Sequence, residues 1–280
     1  MALARSDADL EPNDLEPRAE RPSVQHGIAR EHFTLYDHGQ ASEVDAGVID
    51  EDQLCVFVNG QELATIMCSP VDRQHLALGF LKLEGFIAGM DDIRALRWSQ
   101  DGRCADIWLR HDIAAPARRV ITSGCGGGLT FTDLAASRAP LTSTLRVTPD
   151  VIVDGMRGMQ ASGELYQLVR GVHTASLSDG ARNVFVAQDI GRHNTLDRLC
   201  GMALEAGHDT AEHILFASGR ISSEMLGKAS RMGIPIVVSR TSPTSLSVRL
   251  ARAWNITVIG YCRGARFRVY AAGERIRAVA

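Results

Sequence analysis

The chain has 280 residues, of which 45% are apolar and 22% are charged, and its formal net charge is -3 at pH 7. This length predicts a globular protein with one large domain or two modest ones, and the weak negative charge argues against a general nucleic-acid binder, which needs clustered cations. No apolar run reaches the roughly 18 residues of a bilayer-spanning helix, and the acidic N-terminus is unlike a signal peptide, so we expect a cytoplasmic protein.

The N-terminal part of the sequence changes from charged and proline-containing to extended. Residues 1–30 hold three prolines and few large apolar side chains, a composition that predicts a flexible tail. Extended segments at 54–58 and 62–67 are joined by Asn59-Gly60, a pair that tolerates the positive φ angles of a type I′ turn. These segments therefore predict a β-hairpin.

An apolar helix and two further strands complete this part of the chain. The pattern from Pro70 to near Gly89 predicts a mostly buried helix. Strands are predicted around Ile93–Trp98 and Cys104–Leu109. We interpret residues 31–120 as a small α+β domain.

The C-terminal half alternates between helical and extended patterns. A helix is predicted from Pro149 to about Val169, and a hairpin around an Asp179-Gly180 turn follows it. Helices and strands then alternate: helix 193–205, strand 214–217, helix 222–232, strand 236–238, helix 243–253 and strand 256–259. We interpret residues 121–147 as a glycine-rich cysteine loop and linker, and residues 148–280 as a layered α/β domain with a mixed sheet.

Three strand-to-helix junctions in this half carry small and cationic residues: Asp189-Ile190-Gly191-Arg192-His193-Asn194, Ser218-Gly219-Arg220-Ile221-Ser222-Ser223 and Ser239-Arg240-Thr241-Ser242-Pro243-Thr244. Free N–H groups and the positive end of the helix dipole make each helix start a potential anion site, where Arg192, Arg220 and Arg240 could add bidentate phosphate contacts. The alternative is that the polar side chains are ordinary helix caps and the arginines solvated surface groups. Taken together, the junctions favour a polyphosphate ligand, with His193 and Ser218 among the contacts, because open α/β sheets bind ligands at such strand ends.

Two histidines and an aspartate near these junctions have open roles. His173 and His193 are candidates to orient a phosphate or to move a proton, and the alternative for each is a structural histidine. Asp189 is expected to cap or pair locally rather than to act as a base.

A fourth segment follows the last of these strands and is a further candidate for ligand binding. It holds Tyr261, Cys262, Arg263, Gly264, Ala265 and Arg266. Two guanidinium groups beside a glycine and an aromatic ring would suit a guanine nucleotide or a pterin. The alternative is a turn between two strands with Tyr261 in the core, and spacing alone does not choose between them.

One of the six cysteines lies in a loop that has almost no side chains. Cys125 is surrounded by Gly124 and by glycines at 126–128, and Arg118 and Arg119 precede the loop. Such a loop predicts an exposed thiol, and the nearby cations favour the thiolate, the form that accepts sulfur as a persulfide.

The remaining cysteines give no support to disulfides or to a structural zinc site, because none is paired in a CxxC spacing. Four of them lie among apolar residues and are interpreted as small buried side chains: Cys55, Cys68, Cys104 and Cys200.

The motifs together resemble those of the formate dehydrogenase accessory sulfurtransferase family. GCGGG after RRVITS, then GVHTASL, QDIGRHNTLDRLCG, SGRISSEMLGKASRMGIPIVVSRTSPTSLSVRLA and GYCRGARFRVY occur in the family's order over roughly residues 45–272. The resemblance implies a cytidine-deaminase-like fold for the larger domain and a homodimeric assembly.

The resemblance also implies a function. A cysteine at the position of Cys125 is expected to take sulfur as a persulfide from a cysteine desulfurase. It is then expected to pass the sulfur to the molybdenum or tungsten of a bis-molybdopterin guanine dinucleotide cofactor, which the segment from Tyr261 to Arg266 is implied to contact. The sulfido ligand so installed activates formate dehydrogenase.

The sequence departs from the family's pattern at Gly128, where the loop normally carries the second cysteine of a CxxC pair. A one-cysteine persulfide relay remains chemically complete, and Cys262 is a candidate second thiol. The departure leaves open a cofactor chaperone that hands over the molybdenum cofactor without transferring sulfur. A zinc-dependent deaminase lacks support, because no His is followed two residues later by Glu and no Pro-Cys-x-x-Cys occurs.

Overall fold

Two β-sheets with a pair of crossing helices between them form the body of the protein, and a separate two-stranded ribbon precedes them in the chain. The computed structural model describes residues 27–113, 120–121, 129–130 and 138–277.

The ribbon consists of β1 (Ile28–Asp37) and β2 (Gln40–Ile49), which pair antiparallel along their whole length. His38 and Gly39 join them with φ angles of 47° and 84°, as a tight two-residue hairpin turn requires. The tail predicted for residues 1–30 is therefore too long, because β1 begins before its end.

The first sheet and its helix are built from five elements: β3 (Asp52–Val58), β4 (Gln61–Cys68), α1 (Arg73–Glu84), β5 (Ile93–Trp98) and β6 (Cys104–Leu109). The strand order is β4-β3-β6-β5, with β3 and β6 parallel and the other neighbours antiparallel. Alternate residues of β3 are fully buried in a core shared with α1: Leu54, Val56 and Val58. The predicted hairpin at Asn59-Gly60 is confirmed, and both residues have positive φ angles.

Helix α1 is shorter than the predicted helix of residues 70–89. It ends at Glu84 because Gly85 takes a φ of 83° and its N–H group caps the carbonyl groups of Leu81 and Lys82. This left-handed ending is the one that glycine favours.

The segment between the two sheets forms two short strands and two helices: β7 (Val120–Ile121), β8 (Leu129–Thr130), α2 (Pro149–Ala161) and α3 (Glu164–Val169). The sequence predicted one continuous helix to Val169, whereas α2 ends at Ala161. Gly163 lies between α2 and α3, where a Cβ would be 3.1 Å from the Thr174 hydroxyl oxygen. Gly163 thus packs closely against the second sheet.

The second sheet and its helices are built from nine elements: β9 (His173–Ser178), β10 (Asn183–Asp189), α4 (Arg192–Glu205), β11 (Ile214–Ala217), α5 (Ser223–Arg231), β12 (Ile236–Ser239), α6 (Ser245–Ala253), β13 (Thr257–Arg263) and β14 (Arg266–Ala271). The order is β10-β9-β11-β12-β13-β14, and only β11, β12 and β13 pair in parallel. Apolar side chains of α4, α5 and α6 cover one face, and those of α2 cover the other. The predicted α/β class with a layered mixed sheet is confirmed, and the closer likeness to cytidine deaminases stays a prediction.

The two halves meet where α1 crosses α4. A Cβ on Gly79 would lie 1.7 Å from the carbonyl oxygen of Asp197, and one on Gly201 would lie 1.9 Å from that of His75. Atoms in a packed interior do not approach so closely, so only glycine lets the two helix backbones come together here. Helix α4, which begins at one edge of the second sheet, is thereby fixed against the first half.

Candidate functional site

The three cationic junctions lie at one edge of the second sheet, as predicted. Strands β10 and β11 are both antiparallel to β9, so they run in the same direction, and β12 is parallel to β11. Their carboxyl ends therefore meet at one edge. His173 opens β9 opposite Asp189 and so lies at this edge too.

A cavity of about 400 Å³ opens at this edge, between the strand ends and the helices α2 and α3. Its polar lining includes Gln160, His173, Ser218, Arg240 and Arg263. Ser218 and Arg263 were predicted as site residues, Arg240 was predicted as a phosphate contact, and the role of His173 was left open. The structure brings them together from four separate strand ends.

Arg240 and Arg263 supply the positive charge that lines the cavity. The Nε of Arg263 donates to the backbone oxygen of Arg240 at 3.1 Å, and the Gln160 carboxamide oxygen accepts from Arg240 at 3.0 Å. Both guanidinium groups are on exposed residues. They are held in place while part of each planar group remains available for an anion.

His173 and Ser218 form a hydrogen-bonded pair in the cavity wall. The Ser218 hydroxyl accepts from the backbone N–H of Thr174 at 3.0 Å and lies 3.3 Å from Nδ1 of His173. Burial, followed by the charge of Arg192, lowers the pKa of His173 below its usual value, which keeps the imidazole neutral near pH 7.

Arg192 and Arg220 lie beside the cavity wall rather than in its lining. A Cβ on Gly219 would be 3.1 Å from the Cβ of Arg192 and 3.2 Å from Nδ1 of His173, so a larger residue would require these neighbours to shift. Arg192 is only 6% exposed, whereas Arg220 is exposed. The charges of both lower the pKa of His173.

A buried cluster behind the cavity joins the two halves. It consists of Ser69, Asp189, Asn194 and Arg198. The carboxylate of Asp189 accepts from Arg198 at 2.6 Å, from Asn194 at 2.8 Å and from the backbone N–H of Ser69 at 3.2 Å. The Arg198 guanidinium also donates to the backbone oxygens of Ser69 and Val71.

The buried cluster explains the predicted local role of Asp189. Its Oδ1 also accepts from the backbone N–H of Gly191 at 2.7 Å, which shapes the turn into α4. The side chains of Asp189 and Arg198 are both 0% exposed. The cluster therefore fixes the turn that carries Arg192 and His193, and none of its four members lines the cavity.

His193 lies below the cavity in a buried hydrogen-bond series. Its Nε2 is 3.2 Å from the Ser222 hydroxyl and its Nδ1 is 3.2 Å from a carboxylate oxygen of Glu224. The series Ser222, His193 and Glu224 resembles the nucleophile, base and acid of a catalytic triad. However, burial and the charge of Lys228 lower the pKa of His193 to about 2. Such an imidazole is too weak a base for nucleophile activation, and Ser222 caps α5 by accepting from Met225.

The segment of residues 260–266 is a strand end and a turn, which was the structural alternative. Tyr261 is 36% exposed rather than in the core, and Arg268 and Arg263 lie 4.5 Å and 6.0 Å from its ring centre. Gly264 makes the turn with a φ of 57°, and Ala265 and Arg266 are exposed beside it. Only Arg263 of this segment lines the cavity.

Cys262 points away from the cavity. It is 1% exposed in the core between α2 and the sheet, with its sulfur 4.0 Å from the backbone oxygen of Ile152. Burial raises its pKa to about 11. In this conformation the thiol is inaccessible, which argues against its use as a second thiol.

Cys125 lies outside the described residues, as do Arg118, Arg119 and Gly128. The other five cysteines are free thiols. Cys68 and Cys200 are buried as predicted, but the prediction of buried side chains is wrong for Cys55 and Cys104, which are partly exposed.

In the part of the chain that the structure describes, no three His, Cys, Asp or Glu side chains are arranged to hold a metal ion. In that same part, no helix combines the length and apolar character needed to cross a membrane.

Comparison with known proteins finds similar sequences over most of the chain. The model of the FdhD/NarQ family matches residues 49–277. The sulfur carrier protein FdhD of Staphylococcus haemolyticus is 36% identical over 250 residues, covering 87% of this chain and 94% of that protein. The protein of the same name from Staphylococcus aureus is 35% identical over 248 residues, covering 86% and 93%.

A solved structure is similar in fold. The crystal structure of a protein described as a formate dehydrogenase accessory protein, from Desulfotalea psychrophila, matches with a TM-score of 0.76 and 26% sequence identity. The match covers 90% of this chain and all of that chain.

Proposed function

Because the chain belongs to the FdhD/NarQ family, we propose that it is a sulfur carrier that serves formate dehydrogenase. Cys125 is the sulfur-bearing residue, and the cavity at the strand ends binds the guanine dinucleotide part of the molybdenum or tungsten cofactor, which is the recipient of the sulfur. The binding of the cofactor in this cavity is supported by two arginines in its lining, Arg240 and Arg263.

The cavity has the charge and donors that a pyrophosphate group needs. Two guanidinium groups offer planar paired donors to phosphate oxygens, and the neutral imidazole of His173 adds a hydrogen-bonding ring in the same wall. The walls also include the ring of Tyr166 and the side chain of Met159, which suit a flat heterocycle. A volume of about 400 Å³ is sufficient for one nucleotide part of a larger cofactor whose remainder extends outside.

The sulfur step needs only one cysteine. The Cys125 thiolate attacks the terminal sulfur of a desulfurase persulfide, forms a new S–S bond and releases the desulfurase cysteine as a thiolate. The S–S bond of the Cys125 persulfide then breaks, so that Cys125 leaves as a thiolate and the outer sulfur passes to the cofactor, whose reduced metal would supply the two electrons that convert sulfane sulfur to a sulfido ligand. Gly128, which replaces the usual second cysteine, has no part in this sequence of steps.

The sulfur-carrying role is tested by intact mass after incubation with a cysteine desulfurase and cysteine under non-reducing conditions. Wild-type protein is expected to gain about 32 Da, the mass of one sulfur, and to lose it on reduction. Cys125→Ala protein is expected to gain nothing. Equal gain in both proteins would assign the sulfur to another thiol.

The cavity is tested separately, by titrating the protein with guanosine diphosphate as a probe. Arg240→Ala is expected to weaken binding about 10- to 100-fold, because a hydrogen bond to a charged group contributes about 1.5–3 kcal/mol. Arg182→Ala is the matched control, since this exposed arginine lies in the turn between β9 and β10 at the opposite edge of the sheet. Equal weakening by both variants would indicate a general charge effect rather than a site.

A cofactor chaperone is the second candidate, and the missing second cysteine at Gly128 favours it. A chaperone would bind the nucleotide probe but gain no sulfur from the desulfurase. Restoration of formate dehydrogenase activity by Cys125→Ala in cells lacking this protein would support it. The desulfurase as donor, the homodimer and the cytoplasmic location stay predictions.

A further inference from the structure

Two of the partly exposed cysteines face each other in the first sheet. Cys55 of β3 and Cys104 of β6 are direct partners in the parallel register. Side chains of directly opposed residues in neighbouring strands point to the same face of a sheet. The thiols of these two residues are therefore next to each other.

This face of the sheet is the one that α1 does not cover. The neighbours of Cys55 in β3, Leu54 and Val56, are fully buried against the other face, and so is Ala105 next to Cys104. Both cysteines have intermediate exposure, so a small reagent in solution reaches them. Cys68, Cys200 and Cys262 differ, because each is at most 5% exposed.

The surroundings of the two thiols are polar and hold them in place. The Thr65 hydroxyl lies 3.7 Å from the Cys55 sulfur. Partial burial raises the pKa of Cys104, and so does the neighbouring Cys55 thiol.

The spacing fits a disulfide bond. Neighbouring strands are about 4.8 Å apart, and disulfide-bonded cysteines have Cα atoms about 4.4–6.8 Å apart. A bond between Cys55 and Cys104 would join β3 and β6, the parallel pair at the centre of the sheet, without requiring the strands to separate.

We propose that Cys55 and Cys104 form a redox-active modification site that closes to a cross-strand disulfide by exchange with a low-molecular-weight disulfide such as oxidised glutathione. One thiolate attacks a sulfur of the small disulfide, forms a mixed disulfide and releases one small thiol. The second thiolate attacks the protein sulfur of the mixed disulfide and releases the other small thiol. The pair loses two electrons and two protons, and the small disulfide is reduced to two thiols.

The proposal is independent of sulfur carriage by Cys125, and its test does not use a desulfurase. Full-length protein is incubated with oxidised glutathione, remaining thiols are alkylated under denaturing conditions, and the digest is analysed by mass spectrometry without reduction. The expected product is a linked peptide pair containing Cys55 and Cys104, about 2 Da lighter than the two thiol peptides together. Reduction is expected to restore both thiols.

Single variants separate the pair from other reactive thiols. In Cys104→Ser, the linked peptides are expected to disappear and glutathione to remain attached to Cys55, because no second thiol resolves the mixed disulfide. The Cys55→Ser variant is expected to show the same at Cys104. Cys200→Ser, which changes a buried thiol, is expected to keep the linked peptides.

Two results would overturn the proposal. One is wild-type protein that carries glutathione on Cys125, which shows that the oxidant was active, while Cys55 and Cys104 remain fully alkylated. The other is attachment of one glutathione to each of the two cysteines without a link between them. Both results are read directly from the wild-type protein, so they do not depend on the folding of any variant.

Discussion

The buried cluster and the cavity lining lie side by side at one edge of the second sheet, and both are built around arginine. Arg198 of the buried cluster is 0% exposed and its guanidinium is bonded to Asp189 and to backbone oxygens of the first half. Arg240 and Arg263 of the cavity are exposed, and within the part of the chain that the structure describes neither forms an ion pair with a carboxylate. An arginine in the buried cluster thus joins the two halves of the protein, whereas the arginines of the cavity lining are available to an anion.

The difference shows that burial and an ion-pair partner, rather than residue type, decide whether a charged side chain stabilises the fold or is available to a ligand. A buried ion pair loses its hydration, so removing one partner leaves the other uncompensated. An exposed guanidinium keeps its hydration, so its removal costs little stability but takes away a donor for a ligand. Changes to the buried cluster should therefore alter unfolding, and changes to the cavity should alter binding.

The largest effect is expected from Arg198→Ala. The change leaves the Asp189 carboxylate buried without its main partner, so the free energy of unfolding should fall by about 3–5 kcal/mol. Urea denaturation followed by circular dichroism measures this loss. A double variant that also carries Asp189→Asn should recover part of it, and a loss as large as in the single variant would show that the carboxylate charge is not the cause.

Gly79→Ala tests the helix crossing next to the buried cluster. The new Cβ would lie 1.7 Å from the Asp197 carbonyl oxygen, so α1 and α4 must separate, and we expect a loss of about 1–3 kcal/mol. Gly89→Ala is the control in the same denaturation experiment, because a Cβ at Gly89 meets no atom within 4 Å. Equal losses in the two variants would mean that the close crossing does not limit stability.

The pH dependence of stability tests the buried imidazole of His193. The folded protein holds its pKa at about 2, whereas the unfolded chain protonates it below about pH 6.5, so its contribution to stability is lost as the pH falls below that value. The difference in free energy of unfolding between wild type and His193→Gln should shrink by up to about 1.4 kcal/mol per pH unit. Urea denaturation from about pH 7.5 to about pH 5.5 measures this difference.

The contribution of Asp197 to the free energy of unfolding changes with pH in the opposite direction. It cancels in the difference between wild type and His193→Gln. Burial raises the pKa of Asp197 to about 6, so it contributes stability that is lost as the pH rises through that value. The group is present in wild type and in His193→Gln. A difference between the two proteins that stays constant over the pH range would show that His193 takes up protons equally in both states.

The smallest effect is expected from the cavity. Arg240→Ala should change the free energy of unfolding by no more than about 0.5 kcal/mol, because exposed side chains away from buried networks contribute little. The same denaturation experiment used for Arg198→Ala measures it, and the two arginines form a matched pair. A loss comparable to that of Arg198→Ala would place Arg240 in the structural framework and remove the contrast between the two regions.

Local sequence signals were sufficient for most elements and for the position of the cavity. Asn59-Gly60 predicts its hairpin because both residues accept the positive φ angles that the turn needs. Ser218 and Arg263 lie at the cavity because β11 and β13 run in the same direction and end at the same edge, which the alternation of helices and strands already indicates. His173 lies there because it begins β9, which runs in the opposite direction.

The remaining features depend on contacts between distant segments. The ribbon strand β1 is exposed along most of its length, so it lacks the alternation that marks a strand with one buried face. Arg198 reaches the backbone oxygens of Ser69 and Val71, 129 and 127 positions away in sequence. The pairing of Cys55 with Cys104 follows from the parallel register of β3 and β6, which no local pattern reveals.

The crossing of α1 and α4 has a consequence for synthesis on the ribosome. Gly79 and its contact at Asp197 are separated by roughly 120 residues, which at about 5–20 residues per second corresponds to a delay of about 6–24 s. During that interval α1 has been made but the helix that it packs against does not yet exist. The nascent first half must therefore stay protected from aggregation, and it completes its packing only after α4 has left the ribosome.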